Sequence, residues 1–373
     1  MKRRIAEVQA FHVAVPLEAP LGASARRDPV SVRESTIVRL RCDDGLIGYG
    51  ECVGPPAVLV PAIRHLAPLA LGADPMERNT LVRSLMARAR EEGPGGLLVA
   101  ALSAIDLALW DLCARALGIP LVMLLGGPVR TEVSVYAASV YFSAVAPAVD
   151  VARRFAAQGF RAIKVKVGTG VEADIVRVAA LREALGPDIR LLLDANGAYD
   201  PKSAVTLAQR CASFDVSWIE EPVPVHDLDG CRSVRAAVAV PVAGGENLYT
   251  RHGFAPWLAA RAIDVAMPDL GRCGGLTEAT AIAALASAHD VAVSPHCWGG
   301  SIAFAAAVHL AAALPHCEIL EFDAHPHPLR EALLGEAYAP LAGAVVMPEA
   351  PGIGIDVSET LLADLAVTAA ARR

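Results

Sequence analysis

The sequence lacks a long apolar run. No such run reaches about 18 residues, the length that a membrane span needs. The most apolar segment, residues 97–117, is interrupted by Ser103, Asp106 and Asp111, which predicts a buried amphipathic helix. The N-terminus has a basic start but then alternates polar and apolar residues, which predicts a first strand and not a signal peptide. A membrane is therefore not expected as a partner.

Paired cysteines and basic clusters are also missing. The eight cysteines are scattered without a CxxC pair, which in a chain of 373 residues predicts reduced core residues and a cytoplasmic protein. The formal net charge is −7 and the lysines and arginines do not cluster, which argues against nucleic acid as a partner. The hydrophobic fraction of 54% is more than an isolated monomer of this size needs to bury, which favours a homo-oligomer.

Two rhythms of secondary structure divide the chain. Strand patterns occupy most of residues 5–51, and helical patterns follow to about residue 117, which together predict an α+β domain. From residue 133 onward, short apolar strands alternate with alanine-rich helices. About eight alternations favour a parallel barrel over a doubly wound sheet, with seven or nine as open counts.

Ionisable residues stand at the ends of most predicted barrel strands. Asp194, Glu220 and Glu246 follow one another at intervals of 26 residues, the length of one strand–helix repeat. The carboxyl ends of barrel strands meet at one mouth, so the three carboxylates are expected in one sector of it. A helix cap or a surface ion pair is the alternative for any one of them. Three together would repel one another, and hard oxygen ligands suit Mg²⁺, so the spacing favours a metal site.

The stretch GFRAIKVKVG places Lys164 and Lys166 on one face of a strand. In a barrel that face points inward, at the end where active sites lie. Lys164 is expected to lower the pKa of Lys166 by like-charge repulsion, and the metal is expected to add to that, which would make Lys166 a base near neutral pH. The alternatives are an exposed sheet face and a pair of lysines that only neutralises the carboxylates.

Asp269 and His296 follow neighbouring predicted strands. A carboxylate in this position can hold one imidazole nitrogen and fix the tautomer of the ring. The strands that carry Lys166 and His296 are three steps apart on an eight-membered ring, so the two groups are expected to face a substrate from different sides. A structural histidine at the barrel rim is the alternative.

Taken together, these motifs resemble the enolase superfamily, mandelate racemase subgroup (the mandelate racemase/muconate lactonizing enzyme family). The resemblance covers nearly the whole chain and rests on GYGEC, AIDLALWDL, LLGG, KVKVG, DAN, IEEP, GGEN, PDL followed by CGG, and PHCWG. It implies an α/β fold, a modified (β/α)7β TIM-type barrel at residues 129–350. An α+β capping domain at residues 1–128 would cover it, and residues 351–373 would return to that domain.

By position, the resemblance also implies roles for individual residues. The implied catalytic residues are Lys164, Lys166, Asp269, His296 and Glu321. The implied ligands of one Mg²⁺ are Asp194, Glu220 and Glu246. The expected substrate contacts are Asn196, Glu221, Arg26 and Trp298. In this scheme Lys166 and His296 are the acid/base pair, and Glu321 hydrogen-bonds the developing enolate.

The implied partner is a small-molecule carboxylate whose α-proton is removed. The first loop, residues 16–28, is small and polar and contains Arg26 and Arg27, where an aryl substrate would require an apolar flap. This favours a hydroxylated substrate such as an acid sugar, including acid sugars that carry two negative charges. PHCWG and EFDAHPHPLR look most like sugar-diacid dehydratases and galactarolactone cycloisomerase. β-Elimination from an acid sugar or its lactone is therefore predicted. A racemase or epimerase and a catalytically silent ligand-binding relative are the alternatives.

Overall fold

The computed structural model describes residues 3–25 and 28–367. The chain begins with an antiparallel sheet whose strands are β1 (Ile5–Leu21), β2 (Val30–Cys42) and β3 (Ile47–Cys52) in that spatial order. β1 continues to Leu21 and so extends into residues 16–28, which the sequence pattern predicted to be a loop. Its partner β2 begins early enough to pair with this extension, as the register Pro16↔Val32 shows. Much of the predicted first loop is therefore strand, and the loop proper starts at Gly22.

The sheet packs on a long buried helix. The helices of this part are α1 (Pro56–Ala70), α2 (Arg78–Glu92), α3 (Leu97–Leu117) and α4 (Leu121–Leu124). We call β1–β3 and α1–α4 the capping domain. A Cβ on Gly50 would lie 1.9 Å from the carbonyl oxygen of Ala104, so only glycine lets β3 approach α3 this closely.

Helix α3 is long and apolar enough to cross a membrane, but most of it is buried within the protein. Its predicted amphipathic character is wrong, because Ser103, Asp106 and Asp111 are buried as well. Each accepts a hydrogen bond from a distant backbone N–H. Ser103 and Asp106 accept from Gly274 and Thr277 of the barrel, over 2.9 Å in both cases. Ser103 and Asp106 therefore dock the capping domain onto the barrel, and Asp111 binds Tyr49 of the capping sheet and Ile353 of the last segment.

In the described part of the chain, eight parallel strands alternate with seven helices, which confirms the modified (β/α)7β barrel. The elements are β4 (Glu132–Val140), α5 (Val145–Ala157), β5 (Ala162–Lys166), α6 (Val171–Leu185), β6 (Arg190–Asp194), α7 (Pro201–Arg210), β7 (Val216–Glu220), α8 (Leu228–Ala237), β8 (Val242–Gly244), α9 (Thr250–Ala259), β9 (Val265–Ala266), α10 (Gly275–Ala288), β10 (Ala292–Val293), α11 (Ile302–Ala313) and β11 (Leu320–Asp323). The spatial order is β10-β9-β8-β7-β6-β5-β4-β11. The two ends of this curled sheet meet where the Ser294 hydroxyl donates to the Ile319 carbonyl over 2.9 Å.

The chain after β11 returns along the barrel to the capping domain. The remaining elements are α12 (Pro328–Leu334), β12 (Ala344–Val346) and α13 (Glu359–Leu365). β12 pairs antiparallel with β4. The Tyr49 hydroxyl donates to the Val357 carbonyl over 3.0 Å, so the last segment contacts the capping sheet.

The barrel interior explains the two lysines of β5. Ala162 belongs to an apolar cluster inside the barrel together with Tyr136, Leu192 and Trp218. Because side chains alternate along a strand, Lys164 points inward directly above this floor, and Lys166 follows at the mouth.

Candidate active site

The ends of β5, β6 and β7 bring three predicted site residues side by side. Lys166 pairs in register with Asp194, and Asp194 pairs with Glu220. Glu246 follows two residues after the end of β8, the next strand in the sheet. The carboxylates of Asp194 and Glu220 are fully buried, and Glu246 is 9% exposed. The barrel register therefore places the predicted metal ligands in one sector of the mouth.

Lys164 lies at the centre of these carboxylates. Its ammonium nitrogen is 2.6 Å from Glu321 Oε1, 3.1 Å from Glu220 Oε1 and 3.5 Å from Asp194 Oδ2. Burial alone lowers the pKa of Lys164, but Glu220 and Glu321 outweigh it and raise the pKa well above its ordinary value. Lys164 is therefore a permanent cation at neutral pH and is suited to electrostatic stabilisation.

Lys166 stands one layer higher, with its ammonium 2.5 Å from Asp194 Oδ2 and 3.0 Å from Asn196 Oδ1. Burial lowers its pKa and Lys164 adds to that, as the sequence predicted. The attraction of Asp194 is stronger, however, so the pKa of Lys166 is raised above its ordinary value. The effect of Lys164 therefore has the predicted sign, but it does not decide the pKa among these side chains, because the charge nearest to Lys166 is the carboxylate of Asp194.

His296 lies between two carboxylates. Its Nδ1 is 2.6 Å from Asp269 Oδ2, and its Nε2 is 2.8 Å from Glu246 Oε2. Burial lowers the pKa of His296, but Glu246 and Glu321 outweigh it and hold the pKa well above the ordinary value. Asp269 is itself fixed, since its other oxygen accepts the Gly271 N–H over 2.8 Å. The predicted Asp–His arrangement is thus present in the structure, with Glu246 as an additional partner.

Glu321 completes the cluster from β11. Its Oε2 accepts the backbone N–H of Cys297 over 3.1 Å and lies 3.6 Å from His296 Nε2. Its Oε1 is the oxygen that contacts Lys164. Glu321 therefore touches both the cation on the barrel floor and the imidazole at the mouth.

These residues border a cavity of about 280 Å³ between the barrel mouth and the capping domain. The predicted site residues that line it are Lys166, Asn196, Glu246, His296, Trp298 and Glu321. Lys164, Asp194 and Glu220 lie beneath it, and Glu221 reaches it through Asn247, whose amide donates to Glu221 Oε1 over 2.8 Å. Arg26, the remaining predicted contact, lies outside the described residues.

Sequence reasoning missed four residues of the cavity wall: Ser24, Val53, Asn247 and Arg272. Asn247 and Arg272 stood within GGEN and PDL-GRCGG, so their proximity to Glu246 and Asp269 was the available signal. Ser24 and Val53 belong to the capping domain, and only the docking of the two domains brings them to the mouth.

Trp298 is held at the edge of the cavity by two neighbours. Its Nε1–H donates to the Tyr141 hydroxyl over 2.8 Å, and the Arg33 guanidinium lies 5.3 Å from the centroid of the ring. Arg33 comes from β2 of the capping domain and also pairs with Asp323 of β11 over 2.7 Å. The position of Trp298 therefore depends on contacts from both domains.

The donor set fits a hard divalent cation in its chemistry. Asp194, Glu220 and Glu246 offer only oxygen atoms, and all are buried. Burial and the neighbouring Asp194 raise the pKa of Glu220 well above its ordinary value, because a buried carboxylate beside another is unfavourable; a cation held between them would favour the charged form. Within the described residues, no three side chains converge as closely as the ligands of a metal ion would. The oxygens of the three carboxylates instead contact the ammonium groups of the lysines and the imidazole of His296.

Comparison with known proteins agrees with this geometry. Residues 5–126 match the family model for the mandelate racemase/muconate lactonizing enzyme N-terminal domain, and residues 147–361 match the enolase C-terminal domain-like model. The chain is 39% identical over 360 residues to D-galactarolactone cycloisomerase of Agrobacterium fabrum, which covers 93% of this chain and 95% of the relative. It is 32% identical over 342 residues to D-galactonate dehydratase of Verminephrobacter eiseniae, at 87% and 89% coverage.

A solved structure shows the same architecture. The crystal structure of a racemase from Streptomyces coelicolor A3(2) with bound magnesium superposes with a TM-score of 0.90 at 33% identity. The match covers 97% of this chain and 100% of the other. The two family models follow one another in the order of the two domains and span most of the sequence. The chain is therefore an enzyme of the enolase superfamily and belongs to its mandelate racemase/muconate lactonizing enzyme family.

Proposed function

We propose that this enzyme removes the α-proton of an acid sugar or its lactone and then eliminates the β-oxygen, as a dehydratase or a lactone cycloisomerase. The observation that carries the proposal is the placement of Lys166 and His296. They project into one cavity from β5 and β10, which are three strands apart through β4 and β11. Two proton-transfer groups on different sides of a substrate suit a reaction in which one carbon loses a proton while a neighbouring oxygen leaves.

Members of this superfamily generally use Mg²⁺, and we propose the same cofactor here. Asp194, Glu220 and Glu246 would hold it. When bound, the cation would stabilise the second negative charge that develops on the substrate carboxylate. The carboxylates would then exchange part of their contacts with Lys166 and His296 for the cation. This exchange would lower the pKa of both groups, so that one of them could be neutral and act as the base.

Lys164 and Glu321 support the developing charge from beneath. The Lys164 ammonium is a cation on the cavity floor and can donate to a substrate carboxylate oxygen without any change of its own protonation. Glu321 is positioned by the Cys297 N–H and by Lys164, so its carboxyl group faces the same region. These groups are fixed before the reaction starts, which is the condition for electrostatic stabilisation to lower the barrier.

The bond changes are those of a β-elimination. Lys166 or His296 takes the α-proton, and the electron pair of the broken C–H bond becomes the Cα=Cβ double bond as the C–O bond at Cβ breaks. In an open-chain acid, the leaving oxygen takes a proton from the opposite group and departs as water. In a lactone, the ring oxygen departs as the oxygen of a free carboxylate. The resulting enol tautomerises to a 3-deoxy-2-keto acid.

Proton NMR in D₂O tests the reaction. A panel of hexarates and hexarolactones is incubated with the enzyme and Mg²⁺. Loss of the α-signal together with a new deoxy methylene signal supports elimination. The second candidate is racemisation, which the same two-sided placement of Lys166 and His296 also permits. Deuterium at the α-carbon of inverted substrate, without a keto acid, would establish racemisation and overturn elimination.

The compartment and the assembly are part of the proposal. All eight cysteines are free and buried, which suits a reducing cytoplasm. Leu341, which precedes the turn into β12, is 78% exposed, and Val346, the last residue of β12, is 56% exposed. These exposed apolar side chains suit burial in a homo-oligomer. Light scattering at micromolar concentration tests the assembly, and a monomer would contradict it.

A further inference from the structure

Arg272 is a cation on the cavity wall to which the proposed reaction gives no role. It lies in the turn that follows β9, where its backbone N–H donates to the Asp269 carbonyl over 2.9 Å. The same turn contacts the capping domain, since the Val53 N–H donates to the Gly271 carbonyl over 3.1 Å. Arg272 is therefore fixed at the rim where the capping domain closes over the barrel, above the layer that holds Lys164.

The guanidinium of Arg272 has few partners. Its Nη1 lies 3.4 Å from Asn247 Oδ1, a long hydrogen bond. Its Nε is buried and has no hydrogen-bond partner in the described part of the chain, and the side chain forms no ion pair there. A buried guanidinium N–H without an acceptor is costly, because it has lost its hydrogen bonds to water. A ligand that supplies a carboxylate would remove this cost.

The position of Arg272 relative to Lys166 indicates how such a ligand would lie in the cavity. β5 carries Lys166 and β9 precedes Arg272, and these strands are four steps apart in either direction around the eight-stranded barrel. The two cations therefore stand on opposite sides of the mouth and border the same cavity. A substrate whose reacting end lies at Lys166 extends its other end toward Arg272.

We infer that Arg272 binds a second carboxylate at the far end of the substrate, so that the enzyme acts on a sugar diacid or its lactone in preference to a monoacid. The inference rests on the proposed function, which supplies the reacting end. The guanidinium fork matches a carboxylate with two parallel hydrogen bonds, whereas it gains much less from the hydroxymethyl group of an aldonate. Asn247 helps to orient the fork from the adjacent strand end.

A structural role is the competing explanation. Burial lowers the pKa of Arg272, but Asp269 and, to a lesser extent, Glu246 and Glu221 outweigh it and raise the pKa, so the arginine also offsets part of their charge. Loss of that effect would weaken the site for every substrate equally. Loss of a carboxylate contact would affect only diacids, and it would appear mainly in KM, since the contact is remote from the reacting atoms.

The test compares matched substrates in matched variants. Wild type, Arg272→Met and Arg272→Lys are assayed with D-galactarate and other hexarates, and with the hexonate of the same configuration, in which a hydroxymethyl group replaces the second carboxylate. Arg272→Met is expected to lower kcat/KM for the diacid by about 100-fold and for the monoacid by less than about 3-fold. Arg272→Lys keeps the charge but not the guanidinium fork, so its kcat/KM for the diacid should lie between those of wild type and Arg272→Met. Arg190→Met is the control, because Arg190 begins β6 at the opposite end of the barrel.

Binding separates this inference from the proposed reaction. With Mg²⁺ present, hexarates should raise the Tm of wild type more than the matching hexonates do, and Arg272→Met should abolish the difference. If no substrate turns over but this difference appears, the proposed reaction fails and the assignment of Arg272 stands. If elimination occurs but Arg272→Met weakens diacids and monoacids equally, or if no hexarate binds better than its hexonate, the assignment is overturned.

Discussion

The carboxylate of Glu51, in the capping domain, accepts the backbone N–H of Ser301 in the barrel over 2.7 Å. The same oxygen accepts the Ala303 N–H over 2.9 Å, so Glu51 caps the first turn of α11 from another domain. Its other oxygen accepts the Ser35 hydroxyl. The loop that precedes α11 carries His296 and Trp298, so this contact connects domain docking with the geometry of the site.

Glu51→Ala is expected to destabilise the protein by about 3 kcal/mol, because it leaves buried N–H groups at a helix start without acceptors. It should also lower kcat by about tenfold through the loop that carries His296, whereas Glu51→Gln keeps one acceptor and should recover part of both losses. Urea unfolding and steady-state kinetics measure the two effects. Glu183→Ala, at an exposed position of α6, is the control. Unchanged stability in Glu51→Ala would contradict the capping role.

Glu220→Gln tests the metal site. Mg²⁺ should raise the Tm of wild type by several degrees, because a ligand that binds only the folded state stabilises it. The variant should lose this shift and its activity while remaining folded, since Gln replaces a fully buried carboxylate with a group of similar size. Glu172→Gln, an exposed change in α6, should retain the shift. A normal Mg²⁺ response in Glu220→Gln would show that the ligand assignment is wrong.

Asp269→Asn tests the support of His296. The 2.6 Å contact with Asp269 fixes the imidazole and stabilises its protonated form. Its removal is expected to lower kcat by at least about 100-fold, with the fold intact by circular dichroism. Asp290→Asn is a suitable control, because Asp290 is exposed and its positive φ of 57° is one that asparagine tolerates. Equal kcat values for Asp269→Asn and wild type would rule out an acid/base role for His296 that depends on this pair.

Gly22→Ala tests how the first loop docks. A Cβ at Gly22 would lie 2.6 Å from the Tyr141 Cβ, so the loop would have to move away from the end of β4. Ser24 lines the cavity two residues later, and KM is therefore expected to rise about tenfold with a smaller change in kcat. Gly253→Ala, where the added Cβ would meet only an ordinary contact at 3.9 Å, is the control. Identical KM values in the two variants would contradict the docking role.

Protonation of His327 is expected to cause part of the loss of folding stability at low pH. Its Nδ1 accepts the Arg330 N–H over 3.0 Å and its Nε2–H donates to the Gly299 carbonyl over 3.0 Å, so the neutral ring is required. Burial lowers the pKa of His327 from 6.5 to about 3. Because the folded-state pKa is the lower one, the contribution to stability is complete above pH 6.5 and is lost progressively as the pH falls toward 3.

Between pH 6.5 and 4.5, this group alone should reduce the free energy of unfolding by about 2–3 kcal/mol. His327→Asn keeps the side-chain cap of α12 but cannot titrate, so it should lose less stability than wild type over this interval. Urea unfolding at both pH values measures the difference, and His289→Asn, at an exposed position, is the control. An equal acid-induced loss in wild type and His327→Asn would contradict the assignment.

Local patterns in the sequence were enough to predict the barrel, the ends of its strands and the convergence of three carboxylates at one mouth. Apolar periodicity and turn residues are local signals, and the 26-residue interval of Asp194, Glu220 and Glu246 repeats the length of one strand–helix unit. Since parallel strands end at the same mouth, that interval was sufficient to place the carboxylates together. The extent of β1 was not determined in this way, because its last residues are strand only through pairing with β2.

Which charges meet and which residues close the cavity followed from the packing of remote segments. The two neighbouring lysines predicted a lowered pKa for Lys166. In the folded protein the charge nearest to Lys166 is the carboxylate of Asp194, which the sequence pattern did not show. Arg272 and Val53 reach the cavity because a loop of the barrel docks against the capping domain, a contact with no periodic signal in either segment. Electrostatic interactions and shape depend on distances between remote parts of the chain, whereas secondary structure depends mainly on neighbouring residues.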